Sequence, residues 1–179
     1  MLEIFLLVLV LIFSSYLQSW WALLLILLLL APSLYGMLTG APFVPTPNKR
    51  VQTMLKLANL KPDELVYDLG CGDGRILLAA ANQKAQAIGY EISPLTYLLA
   101  KIRTLLNKRI KVKFKSFWHE DLSKADVVFC FLMTDSMKTF ATKIWPQLKP
   151  GTRVVSHAFK LPDATPLAAE DGILLYVKN

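Results

Sequence analysis

The ten residues Val66-Tyr67-Asp68-Leu69-Gly70-Cys71-Gly72-Asp73-Gly74-Arg75 constrain this chain more than any other stretch. They read as a short apolar strand that ends in an acid, then a glycine-dense turn, then the start of a helix. Glycines at 70, 72 and 74 let the backbone take positive φ and let a ligand come close to the main chain. The helix that follows offers N–H groups without intrahelical partners in its first turn. At the carboxyl end of a first parallel strand, this combination makes a site for a nucleotide-type ligand.

From residue 64 onward strands and helices alternate. Strands are expected at 64–69, 86–91, 110–115, 125–132, 152–159 and 172–178, and helices near 74–82, 94–107 and 136–145. The second helix is amphipathic, with Leu95, Leu98, Leu99, Ile102, Leu105 and Leu106 on or near one face. Lys149-Pro150-Gly151 is a turn before the fifth strand. This alternation predicts a Rossmann-like, doubly wound, mostly parallel α/β sheet with helices on both faces. The row Arg109, Lys111, Lys113, Lys115 alternates with Ile110, Val112 and Phe114, the pattern of an edge strand protected by lysines.

Ahead of this region the composition changes. All 20 Lys and Arg fall at or after Lys49, while the first 48 residues hold one charged side chain, Glu3. Residues 4–13 and 22–31 are wholly apolar, and each is shorter than the roughly 20 residues that a crossing needs. They can form one tilted helix over 3–31, a helix over 20–38 with Trp20 and Trp21 at an interface, or a re-entrant hairpin. The single helix is preferred. The expected architecture is therefore a hydrophobic transmembrane anchor over 1–38, a Pro- and Gly-rich connector over 39–48, and a ligand-binding domain over 49–179. Basic residues only on the carboxyl side (Lys49, Arg50, Lys56) give a membrane-anchored, single-pass chain with its catalytic domain in the cytoplasm. The positively charged start of a cleaved secretory signal is missing.

A net charge of +7 favours anionic partners, or equally reads as a solvated basic surface. Two cysteines make no disulfide framework and suit a reducing compartment. His119 and His157 lack Cys or acid neighbours at metal-ligand spacing, so no metal is expected.

A dinucleotide turn needs G-x-G-x-x-G, and here the third position is Arg75. The spacing G-x-G-x-G after Asp68 instead matches the first motif of Rossmann-like S-adenosylmethionine methyltransferases. Glu91 ends the second strand, 23 residues after Asp68, where a carboxylate can accept both ribose hydroxyls. Asp68 would orient the cofactor's ammonium group, directly or through water. The turn residues Gly70, Cys71, Gly72, Asp73 and Gly74 complete the cradle.

Three stretches, Ala41 to Pro47, Val66 to Ile76 and Lys149 to His157, together resemble one family of protein lysine methyltransferases. It contains the archaeal broad-specificity enzyme and the mitochondrial enzymes acting on the ATP synthase c-subunit and the adenine nucleotide translocator. The resemblance implies a seven-strand methyltransferase fold, S-adenosyl-L-methionine as cofactor and transfer of methyl to a lysine Nζ of a protein. It also implies that Val44, Pro45 and Thr46 help close over the cofactor. Thr46 followed by Pro47 reads equally as the N-cap and first residue of the next helix. Ser116 stands where relatives often have Asn and can still contact adenine, with Phe117 beside it. Ala158 stands where relatives often have Glu after the Ser-His pair.

After the fourth strand the chain reads Phe131-Leu132-Met133-Thr134-Asp135, without the Asn/Asp-Pro-Pro-Tyr/Phe that serves amino groups of bases. That argues against a nucleic-acid partner. A lysine ammonium must lose its proton, which desolvation favours, and then be aimed at the methyl carbon. Met133 and Thr134 are the candidate catalytic residues lining that channel; capping of the next helix by Thr134 or Asp135 is the competing reading. The expected partner is a protein with an accessible lysine, including a membrane protein. The rival functions are a small-molecule, lipid or quinone methyltransferase and a non-enzymatic cofactor-binding protein.

Overall fold

The computed structural model describes residues 2–17, 20–21, 23–28, 31 and 44–179. The chain divides into two units, Met1–Pro42 and Phe43–Asn179. In the first unit, helix α1 runs Leu2–Leu17, and residues 20–21, 23–28 and 31 are also helical. Ile4, Leu6, Val8, Leu9, Leu11, Ile12 and Phe13 of α1 are exposed.

The expected transmembrane helix is corrected here. Among the described residues, no helix is long and apolar enough to cross a membrane. The 16 residues of α1 extend about 24 Å at ~1.5 Å per residue, short of the roughly 30 Å of a bilayer core. The localisation derived from that anchor, single-pass with a cytoplasmic domain, loses its basis with it. Positions 32–38 of the expected anchor and 39–43 of the expected connector lie outside the described residues.

The second unit is built on a seven-stranded sheet in the order β3-β2-β1-β4-β5-β7-β6. The strands are β1 Leu65–Leu69, β2 Gln86–Glu91, β3 Ile110–Phe114, β4 Val127–Cys130, β5 Arg153–His157, β6 Ala168–Glu170 and β7 Ile173–Val177. β1 to β5 are mutually parallel, whereas β7 pairs antiparallel with both β5 and β6. Four helices accompany them: α2 Asn48–Ala58, α3 Arg75–Asn82, α4 Pro94–Thr104 and α5 Thr134–Lys143. The short strand β6 was not legible in the sequence, because it carries one half-exposed tripeptide and pairs only with β7.

Strand alternation sorts the core into two faces. Val66, Val127, Phe129, Val155, Ile173 and Leu175 pack under α2 and α3 with Met54, Leu55 and Ile76. Tyr67, Leu69, Tyr90, Val128, Cys130, Val154 and Tyr176 pack on the other side with Met137 and Phe140 of α5. β4 is buried along its whole length, as a parallel strand covered on both faces must be. β3, with its lysines, lies at one edge of the sheet.

α4 is oriented in a way its sequence does not announce. Its buried residues are Thr96, Ala100 and Thr104, while Leu95, Leu98, Leu99 and Ile102 are exposed. The reason is a close approach. A Cβ added at Gly74 would lie 3.2 Å from Thr104 Cγ2 and 3.4 Å from Ala100 Cβ. Only small side chains fit between α4 and the glycine turn, so the large apolar ones are left outside.

A similar constraint sits in β2. A Cβ on Gly89 would meet Cys71 Sγ at 2.7 Å and Cys71 Cβ at 2.8 Å, close to the backbone of the glycine turn. Gly89→Ala is expected to lower stability by about 1–3 kcal/mol through overpacking, read as a reduced midpoint in urea unfolding.

Candidate active site

Winding of the sheet reverses between β1 and β4, and the turn Gly70–Gly74 follows β1 at that point. Gly70, Gly72 and Gly74 take φ of 81°, 54° and 78°, which is why glycine is needed at each. The turn is tied to the end of β2: the N–H groups of Gly70 and Cys71 donate to the Tyr90 carbonyl at 3.0 and 2.9 Å. Space is open above Gly70, where an added Cβ would meet no heavy atom within 4 Å.

Glu91 makes the second tie. Its Oε2 accepts from the Gly72 N–H at 2.9 Å, and its Oε1 accepts from Ile92 and Ser93 N–H at 2.9 and 2.8 Å. A carboxylate has about four lone-pair sites, so three are taken by backbone and one remains. In this arrangement Glu91 can accept one further donor on Oε2 without releasing the turn.

Asp68 is buried, and its Oδ2 has no hydrogen-bond partner. Burial, with the charges of Glu91 and Asp73 behind it, pushes its carboxyl up to about 8. A buried acid left in this state fits a cationic donor placed next to it. The Cys71 thiol is pushed up by burial, and that of Cys130 to about 12, so both are protonated packing groups.

Asp73 behaves differently from Asp68, although both are buried. Arg75 Nε donates to its Oδ1 at 2.9 Å and Arg75 Nη2 to its Oδ2 at 2.8 Å, and Arg103 of α4 also pairs with Oδ2. Burial opposes ionisation here, but the Arg75 hydrogen bond and the charges of Arg75 and Arg103 outweigh it and hold the carboxyl below its usual range. Arg75 Nη1 then donates to the Thr46 carbonyl at 2.7 Å. That contact brings Thr46 against the turn, with Val44 and Pro45 exposed beside it. Thr46 is buried, but the N-cap of α2 is Pro47 and no side chain caps that helix.

Ser116 and Phe117 follow β3 at the same edge of the sheet, with Phe117 buried against Trp118 at 4.3 Å between ring centroids. Met133 and Thr134 are exposed at the start of α5, after β4. Neither Thr134 nor Asp135 caps α5; Asp135 pairs with Lys138 at 2.8 Å instead.

One group escaped the sequence reading. Phe131 lies 4.1 Å from the His157 ring and 6.1 Å from that of Phe159, centroid to centroid. His157 is buried, its Nδ1 has no partner, and burial together with the Arg50 charge lowers its pKa, leaving it neutral at pH 7. Phe131 reads in sequence as the inside of a strand. Only the pairing of Cys130 with Ser156 sets it beside His157. Among the described residues, no cluster of three or more His, Cys, Asp or Glu could hold a metal ion.

Comparison with known proteins bears on this site. The model of the ANTKMT methyltransferase domain matches residues 68–168. A protein-lysine N-methyltransferase of Saccharolobus islandicus (strain REY15A) is 40% identical over 149 residues, 76% of this chain and 92% of that protein. The ATP synthase c-subunit lysine N-methyltransferase of Homo sapiens is 30% identical over 70% of this chain. The adenine nucleotide translocase lysine N-methyltransferase of Mus musculus is 34% identical over 71% of this chain. The chain spans 54% and 57% of those two mammalian proteins, just over half of each. Among solved structures, an RNA methyltransferase from Salinibacter ruber in complex with S-adenosyl-L-homocysteine is similar at a TM-score of 0.71 and 31% identity. The match covers 75% of this chain and 94% of that one.

The raised Asp68 carboxyl has a pH consequence. Unfolded, it ionises near 3.8; folded, near 8. Between those values the folded chain holds the extra proton, so stability falls as pH rises through that window and levels off above it. The free protein is expected to lose stability from pH 5 to pH 8 in urea melts. Asp68→Asn is expected to abolish that slope and to be more stable at pH 8 by about 1–3 kcal/mol.

Proposed function

We propose that this chain, which belongs to the ANTKMT methyltransferase domain family, uses S-adenosyl-L-methionine to methylate lysine side chains of a protein. The observation that carries the reading is the unpartnered, buried Asp68 carboxylate beside the three-glycine turn, with Glu91 at the next strand end. The cofactor's ammonium is the cationic donor that Asp68 lacks, and a ribose hydroxyl is the one further donor that Glu91 can accept. The residues present therefore fit the group.

When bound, S-adenosyl-L-methionine supplies a methyl carbon made electrophilic by its sulfonium. The chain does the rest. Asp68 holds the ammonium and becomes ionised beside it, since a neighbouring cation reverses the penalty of burial. Glu91 takes a ribose hydroxyl on its remaining Oε2 site while its other lone pairs keep the turn in shape. Gly70, Cys71, Gly72, Asp73 and Gly74 form the cradle, in which Asp73 acts through Arg75 and Arg103. Ser116 and Phe117 border the base. Val44, Pro45 and Thr46 close from the other side, with Thr46 fixed by Arg75.

For the acceptor, Met133 and Thr134 line the approach, and Phe131, His157 and Phe159 form its wall. Desolvation, together with the positive charge of the cofactor's sulfonium, favours an amine over an ammonium, which frees the lysine lone pair for transfer. Support for lysine comes from the relatives' names, each a lysine N-methyltransferase. The RNA methyltransferase name of the Salinibacter ruber structure supports RNA as a second reading. A membrane protein as acceptor is the finer part of the proposal, supported by the relatives named for ATP synthase subunit c and for the adenine nucleotide translocase.

The test is incubation of the purified full chain with methyl-labelled cofactor and a cell lysate, split into membrane protein, soluble protein, RNA and lipid. Label in protein, recovered as methyl-lysine after digestion, is expected. Label confined to RNA or to lipid overturns the reading, and the balance of membrane and soluble protein decides the finer part. Glu91→Gln is expected to weaken cofactor binding by about 10–100-fold, read by calorimetric titration. Phe131→Ala is expected to raise KM for the protein substrate about 10-fold with little change in cofactor affinity.

A further inference from the structure

The leucine face of α4 is unexplained by the catalytic site. Leu95, Leu98 and Ile102 are 72%, 55% and 64% exposed, and Leu105 and Leu106 just beyond the helix are 77% and 95% exposed. Leu99, on the same face of α4, is exposed as well. This is not a packing remnant. Gly74 admits only Ala100 and Thr104 on the inner face, so the outer face was free to be polar, as a solvated helix face normally is.

Along the sequence that carries the ridge, charge has one sign. Between Glu91 and Glu120 there is no acid, whereas Lys101, Arg103, Lys108, Arg109, Lys111, Lys113 and Lys115 all fall there. Arg103, Arg109, Lys113 and Lys115 pair with Asp73, Asp63 and Glu120, and Lys111 shares its strand face with Lys113, away from α4. Lys101 and Lys108 are exposed and form no ion pair among the described residues. A second copy of the chain would bring these cations against their own equivalents across a two-fold axis, which repels. An anionic bilayer surface offers apolar depth to the leucines and headgroup charge to the lysines at once.

We infer that the α4 ridge docks the methyltransferase unit peripherally on an anionic lipid surface, with Leu95, Leu98 and Ile102 entering the headgroup boundary and Lys101 and Lys108 meeting phosphates. Nothing in this contact spans the bilayer. It is independent of the catalytic reading, because it concerns a helix face that no reacting group uses.

The test uses the full chain and vesicles of phosphatidylcholine with or without 30–40%, as a rough composition, of phosphatidylglycerol. Leu98→Cys carries an environment-sensitive thiol dye; the buried, protonated Cys71 and Cys130 do not compete for it. Asp135→Cys on the opposite layer is the control. The dye at 98 is expected to shift to the blue on anionic vesicles only, reversed by about 0.5 M salt, with no shift at 135. In flotation, Leu98→Gln/Ile102→Gln is expected to bind anionic vesicles about 10-fold less than the parent, with unchanged folding by circular dichroism. Equal flotation of that variant, which would assign lipid binding to residues 1–42 instead, overturns the inference. So does a blue shift at 98 that depends on protein concentration without vesicles, the signature of a second copy.

Discussion

Everything at the catalytic edge depends on how the glycine turn is held. Glu91 binds the Gly72 N–H from one side and two amides of its own strand end from the other, and Tyr90 takes the N–H groups of Gly70 and Cys71. These bonds lock β1 and β2 together just where their carboxyl ends would otherwise be loose. α4 then presses on Gly74 through Ala100 and Thr104. A turn with no side chains of its own is in this way shaped by its neighbours.

The three acids around this turn carry the same chemistry and end in different states. Asp73 is buried but meets two guanidinium groups and stays ionised. Glu91 is satisfied by backbone amides. Asp68 has neither, and burial keeps it protonated near neutral pH. The difference is one of placement, since a buried carboxylate is tolerable only where donors or cations face it. Among them Asp68 alone is left for a cation brought from outside.

Several features were readable in the chain because they rest on local periodicity. The order of the strands other than β6 and of the helices between them, with the lysine-studded edge strand, follows from spacing of two or of 3.6 residues, and the acid at the end of β1 and the glycines from residue type. The amino-terminal segment was not. Its apolar composition reads as a crossing, but the described helix ends at Leu17 and no described helix is long enough. Thr46 likewise reads as a cap, while in the fold it is a carbonyl held by Arg75, a residue 29 positions away.

By itself the sequence determined the doubly wound sheet, the ligand turn and the acid pair, because alternation and glycine content leave few other ways to bury these strands. Tertiary structure alone decided which face of α4 turns outward, which acid stays unpartnered and which aromatic side chains gather around His157. Each of those depends on contacts between residues far apart in the chain: Gly74 with Thr104, Asp73 with Arg103, Phe131 with His157. Periodicity says that a helix has two faces. Only the space left by a neighbouring backbone says which one goes in.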